Sequence, residues 1–311
     1  MSGDLASSEM WKASIVIKRT QIGLLGLGIM GMAFAKNLIQ NGFQVHGFDP
    51  LESARQSLTT LGGLPHESAR SVFAAADLVL TALPNVSALE AAVADCLPAL
   101  SPAHVVAEMS TLPVSAKEAA RDQLATRDAI LLDCPVSGTG SQAESADVVV
   151  YASGPAEAAA RLEPAFHAIS KKIHHVGQFG NGMKLKLIAN LLVAIHNLAT
   201  AEALNMAERS GLDLNMVYAA IASGGAATSR VFDLRAPLMI ANQYEPPTMK
   251  IENFMKDVSL IMDHALALHC PVPLLSAALP YYTAAISQDR HQQDTAALYP
   301  VLKGMSDIQT V

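Results

Sequence analysis

An α/β fold, with a mostly parallel sheet followed by an all-helical domain, is what the order of apolar segments predicts. Between Gln21 and Val176, short β-rich apolar runs alternate with alanine-rich stretches, the pattern of repeated strand–helix–strand units. After Gly177 no convincing strand follows, and the remaining segments read as helices. Gly, Pro, Asn or Ser stands at most junctions, where regular structure must break.

The strand candidates are IGLLGL (22–27), FQVHGFD (43–49), DLVLTAL (77–83), HVVAEMS (104–110), AILLDCPV (129–136) and DVVVYAS (147–153). Helix candidates lie between them at 29–40, 52–60, 87–97, 115–126 and 155–169. Further helices are expected at 182–210, 214–223, 250–268, 272–287 and 294–303. These segments predict two domains, 21–180 and 181–311, behind a loose N-terminal extension over 1–20. The short run KKIHHV carries His174 and His175 without a third ligand nearby, so they read as surface or sheet-edge residues rather than a metal site.

Composition excludes several classes. The 311 residues are 51% hydrophobic and 16% charged, which fits a globular chain with a large core. A net charge of -7 and no Lys/Arg cluster argue against nucleic acid. Cys96, Cys134 and Cys270 lie far apart, without CxxC or Cys/His ligand spacing, which suggests a reducing compartment and no zinc. Cys134 also lacks the His and Asn partners of a nucleophile. Residues 1–20 hold no signal-peptide core, and no run of about eighteen uninterrupted apolar residues offers a membrane span, so a soluble cytoplasmic protein is expected.

Directly after the first strand comes Gly26-Leu27-Gly28-Ile29-Met30-Gly31, a GxGxxG that opens a helix. Its first glycine permits the tight turn, its second admits a pyrophosphate, and its third lets helix pack on strand, with phosphate on the helix N-terminus. Alone, such a turn also occurs in unrelated α/β proteins. Here the second strand ends in Asp49, where a ribose-binding acid belongs, and Pro50 and Leu51 follow it rather than Arg. An Asp accepts from a ribose 2′-hydroxyl and repels a 2′-phosphate, so the reading is a Rossmann-type domain that binds NAD, with NADP possible.

In GNGMKLKLIANLL (180–192) two lysines and an asparagine interrupt an apolar helix. At 100° per residue Asn190 and Asn197 fall within about 40° of Lys186, whereas Lys184 lies about 160° away. Both lysines could simply hold their charges in water. Lys186 and Asn190, one turn apart, can instead converge on one substrate oxygen at an interdomain cleft. Burial there, or an adjacent oxidised nicotinamide, lowers a lysine pKa from about 10.4 towards a useful value.

Several stretches together resemble the β-hydroxyacid dehydrogenase family, from about residue 21 to 303. They are GLGIMGMAFAKNLIQNGFQVHGFD (26–49), LPN (83–85), EMSTLP (108–113), DCPVSGTGSQA (133–143), GQFGNGMKLKLIAN (177–190) and FMKDVSL (254–260). The resemblance implies that Lys186 is the acid/base and Asn190 its partner. It implies further that Ser137, Gly138 and Thr139 hold a substrate carboxylate and that Ser110 and Thr111 lie near nicotinamide and substrate. Leu83, Pro84 and Asn85 would run along the cofactor, and Lys256 would close over it. On residues alone, Ser110 and Ser137 also read as strand-end caps. The chain departs from the family pattern at Thr139, usually glycine, at Ala146, near which a glycine is usual, at Ala189, usually asparagine, and at Met249, often aromatic.

The implied activity is an NAD-dependent oxidoreductase that interconverts a small β-hydroxy acid and its semialdehyde or ketone, as a homodimer or homotetramer. The alternatives are an imine reductase, which generally has another acid at the position of Lys186, and a non-catalytic NAD-binding regulator.

Overall fold

The structure, a computed structural model, describes residues 20–306. The N-terminal extension expected over 1–20 therefore lies, but for Thr20, outside the described residues.

Six parallel strands form the main sheet: β1 (Gln21–Leu25), β2 (Gln44–Phe48), β3 (Leu64–Pro65), β4 (Leu78–Thr81), β5 (Val105–Glu108) and β6 (Ile130–Asp133). Their connections are the helices α1 (Ile29–Gln40), α2 (Glu52–Thr60), α3 (Ala69–Ala75), α4 (Val86–Cys96) and α5 (Val114–Ala125). The spatial order β3-β2-β1-β4-β5-β6 reverses between β1 and β4, which opens a crevice at the carboxyl ends of those two strands. β1, β4, β5 and β6 are almost wholly buried because helices cover both faces, so they read as apolar runs, whereas β3 at the edge is exposed.

The expected strand 129–136 is split. Pro135 has no N–H to give to the ladder, so β6 stops at Asp133 and β7 (Val136–Ser137) starts a second sheet. That sheet has the order β7-β8-β9, with β8 (Val149–Ala152) antiparallel to β7 and parallel to β9 (Lys172–His175). DVVVYAS therefore lies outside the main sheet, and exposed His174 and His175 sit on the edge strand β9. The helices α6 (Gly140–Glu144) and α7 (Ala156–Ile169) connect these strands. Between them Ala146, where a glycine is usual, has φ of 54°. A side chain in that left-handed region is strained, so Ala146→Gly is expected to stabilise the fold by up to about 1 kcal/mol, checked by urea denaturation.

The second half is helical: α8 (Asn181–Arg209), α9 (Leu214–Ala222), α10 (Arg230–Ile240), α11 (Ile251–Ala267), α12 (Pro273–Ser287) and α13 (Leu298–Ser306). α10 was not among the expected helices, and Pro237 stands inside it. Its Phe232, Ala236 and Met239 are buried in the helical core, and that packing outweighs the lost hydrogen bond. α8 alone among the described helices is long and apolar enough to cross a membrane. It is the axial helix of this bundle, with α10, α11, α12 and α13 packed around it, and it also touches β6 and β8.

Candidate active site

The glycine turn lies at the crevice. Gly26 has φ of 88°, and a Cβ there would meet the carbonyl of Ala82, at the end of β4, at 2.3 Å. At Gly31 a Cβ would meet the Gly26 carbonyl at 1.9 Å, which is why helix and turn can touch only through glycine. Gly28 faces open space, and as N-cap it brings no side chain to the first turn of α1. The N–H groups of that turn, beside exposed Ile29 and half-buried Met30, are therefore free to face a phosphate. These features fit a dinucleotide.

Asp49 tightens the turn: its Oδ2 accepts the Leu27 N–H at 2.9 Å and its Oδ1 accepts the Leu51 N–H at 2.9 Å. Arg55, six residues on, was not part of the sequence reading of this rim. Its guanidinium donates to the carbonyls of Asp49 (2.8 Å) and Pro50 (3.2 Å) and pairs with Glu67 at 3.2 Å.

Opposite the glycine turn, the Leu83 N–H donates to Ser110 Oγ at 2.7 Å, which ties the end of β4 to that of β5. Ser110 is buried and Thr111, next to it, half-buried. Asn85 caps α4 by accepting the Ala88 N–H. From the helical half, Lys256 Nζ of α11 reaches the Pro84 carbonyl at 3.4 Å. The loop 83–85 and α11 are thus in contact.

Ser137 and Gly138 are half-buried at the end of β7, and Gly138 has φ of 149°. Thr139 is the N-cap of α6: its Oγ1 accepts the Gln142 N–H and its own N–H donates to Gln142 Oε1 at 3.0 Å. Amide and hydroxyl of Thr139 are therefore engaged in a capping box, and the residue shapes the loop that presents Ser137 and Gly138.

Lys186 is 5% exposed and Asn190 2% exposed on α8, whereas Lys184 points to solvent. Asn190 Nδ2 donates to Asp257 Oδ2 of α11 at 2.8 Å. Burial pulls the Lys186 ammonium below the ordinary lysine range, against the opposing negative charge of Asp257. Burial likewise holds the Asp257 carboxyl above its usual range, against Lys186, Lys256 and the Asn190 hydrogen bond. Asp257 was unassigned in the sequence, where its only signal is its place beside Lys256. Asn197, on the same stripe of α8, does something else: it donates to the Thr295 carbonyl (2.8 Å) and to Tyr282 Oη (3.3 Å) inside the helical core.

Among the described residues no group of three or more His, Cys, Asp or Glu side chains is arranged to hold a metal. A buried lysine on one helix face with an amide that Asp257 fixes is suited to moving a proton while a nucleotide moves hydride.

Two family models match the chain: the NAD binding domain of 6-phosphogluconate dehydrogenase over residues 21–177, and the NAD-binding domain of NADP-dependent 3-hydroxyisobutyrate dehydrogenase over 180–302. The L-threonate dehydrogenase of Cupriavidus necator is 32% identical over 288 residues, covering 91% of this chain and 96% of the relative. The solved structure of Mycobacterium tuberculosis 3-hydroxyisobutyrate dehydrogenase with L-serine is 29% identical, with a TM-score of 0.84 over 92% of this chain and 99% of that one. An imine reductase from Pseudomonas sp. shares the fold at 17% identity and a TM-score of 0.56, over 91% of this chain and 99% of that one.

Proposed function

The chain belongs to the β-hydroxyacid dehydrogenase family, and from that premise we propose that Lys186 moves the hydroxyl proton as a small β-hydroxy acid and its semialdehyde or ketone are interconverted. The observation that carries this reading is the burial of Lys186 at the start of α8, beside an amide that Asp257 holds in place.

A nicotinamide nucleotide held at the glycine turn would supply the hydride chemistry. Lys186 Nζ takes the hydroxyl proton during oxidation and gives it back during reduction. Asn190, fixed by Asp257, orients the lysine and the substrate oxygen. Ser137 and Gly138 grip the carboxylate, and Thr139 shapes their loop through its capping box. Ser110 accepts from Leu83 through its oxygen, so its hydroxyl proton is free for the substrate. Gly26, Gly28, Ile29, Met30 and Gly31 with Leu83, Pro84, Asn85 and Thr111 wall the cofactor crevice, and Lys256 closes it from α11.

Asp49 at the ribose end favours NAD over NADP, because its carboxylate repels a 2′-phosphate and Arg55 is held by backbone carbonyls and Glu67. The test is a panel of hydroxy acids that includes L-threonate and 3-hydroxyisobutyrate, named for the relatives' activities, assayed with NAD and NADP. Oxidation of at least one acid with a higher kcat/KM for NAD is expected. Turnover of cyclic imines alone would point to an imine reductase, and nucleotide binding without any turnover to a regulator; Lys186 opposes both. A higher kcat/KM for NADP would contradict this preference and show that Arg55 leaves these partners to meet the 2′-phosphate.

The three cysteines are free, in keeping with a reducing, cytoplasmic setting. The apolar helix α9 has no buried residue, and its Met216, with Leu212 just before it and Met206 at the end of α8, is exposed, which supports a homodimer or homotetramer. Light scattering of the purified chain is expected to give at least twice the 32.7 kDa monomer mass.

A further inference from the structure

α8 carries Lys186 but does not cap itself. Its N-cap is Gly180, with φ of 88° and no side chain to accept from the first turn. Within the first turn, the Asn181 N–H donates to the Gln178 carbonyl and the Lys184 N–H to the Gly180 carbonyl. The two N–H groups between them are satisfied from the other half of the chain. The Met183 N–H donates to Asp133 Oδ2 at 2.7 Å, and the Gly182 N–H to Ser153 Oγ at 3.0 Å. Ser153 Oγ in turn lies 2.8 Å from the Asp133 carbonyl and 3.1 Å from its Oδ2. The approach is close enough that a Cβ on Gly182 would meet the Tyr151 carbonyl at 2.5 Å and the Asp133 carbonyl at 2.7 Å.

Asp133 is itself held. Its Oδ1 lies 2.7 Å from Lys117 Nζ, and the same ammonium lies 2.7 Å from Glu108 Oε2; all three side chains are fully buried. The other oxygen of Glu108 accepts the Ser110 N–H at 3.0 Å. Lys117 thus joins the end of β5, where Ser110 stands, to the end of β6, where Asp133 caps the lysine helix. Lys186 is three residues beyond Met183, about 4.5 Å along the helix axis, so a shift at the cap is carried almost undiminished to its Cα.

We propose that Asp133, oriented by Lys117, is a positioning residue for Lys186: by capping α8 across the domain boundary it fixes the height and rotation of the lysine relative to Ser110. This deepens the dehydrogenase reading and rests on it. Misplacement of an acid/base by about 1 Å lowers turnover by roughly 10²-fold.

The test compares full-length wild type, Asp133→Ala, Asp133→Asn and Lys186→Ala on whichever of L-threonate or 3-hydroxyisobutyrate the wild type oxidises, well below each variant's Tm. Asp133→Ala is expected to lose roughly 10- to 100-fold in kcat, with NADH affinity unchanged and a larger primary deuterium isotope effect. Asp133→Asn keeps one oxygen for the Met183 N–H but turns its NH2 toward the Lys117 ammonium, and is expected to recover part of that loss. Should Asp133→Ala not fold, Ser153→Ala removes the Gly182 acceptor without touching a charge, and a smaller kcat loss with unchanged NADH affinity is expected. Wild-type kcat and isotope effect in the folded variants, or equal losses in Ala and Asn that follow Tm, overturn the positioning role. Full activity in Lys186→Ala instead removes Lys186 from the chemistry, and failure of the wild type to oxidise any hydroxy acid overturns the dehydrogenase reading itself.

Discussion

Replacing Lys186 by alanine is expected to lower kcat for hydroxy-acid oxidation by about 10²- to 10⁴-fold while NADH still binds. The nucleotide crevice is built from β1, β4 and their loops, far along the chain from α8, so loss of one side chain from the helix leaves it intact. Turnover is different, because Asn190 is an amide that cannot act as a base, and the Asp257 carboxylate already accepts from it. Lys186→Arg is expected to be equally inactive, since a guanidinium does not release its proton near neutral pH. Steady-state kinetics and an NADH fluorescence titration on the same preparation check both halves, and retained kcat would remove Lys186 from the chemistry.

Replacing Lys117 by methionine is expected to have the largest effect on stability. The side chain is fully buried between the carboxylates of Glu108 and Asp133, each 2.7 Å away. Removing the cation leaves two buried anions uncompensated, a change of about 3–5 kcal/mol. Burial alone would lower the pKa of Lys117, but the two carboxylates overcome it and hold the ammonium above the ordinary lysine range. Its contribution is therefore complete below the unfolded lysine pKa and is lost only as pH rises through the higher folded value. Denaturant unfolding near pH 7 is the check. If the triple replacement Lys117→Met, Glu108→Gln, Asp133→Asn restores much of the loss, the penalty belongs to the stranded charges rather than to packing.

What was legible in the sequence was local. The GxGxxG turn, Asp49 at the end of β2, and the Lys186–Asn190 pair all announce themselves through spacing within a single strand, turn or helix. Five of the six strands of the main sheet were legible for the same reason, as apolar runs between breakers; β3, two exposed residues at the sheet edge, was not. Partners brought together by folding left no such trace. Asp257 meets Asn190 from 67 residues away, and Asp133 meets Met183 from 50. β7 is two residues long, too short for any periodicity, and it became visible only as the far side of Pro135. Asn197 shows the opposite failure: helical phase put it on the stripe of Lys186, but that stripe runs on, about 16 Å further along the axis, into the helical core.

Lys186 is a buried amine, and it must be neutral to accept the substrate proton. The most direct measurement is the pH dependence of kcat/KM for oxidation of the hydroxy acid that the enzyme turns over. A rise with pH through an apparent pKa below the ordinary lysine value of about 10.4 is expected, with the loss of that limb from the residual activity of Lys186→Ala. A limb of unchanged position in Lys186→Ala would contradict this expectation.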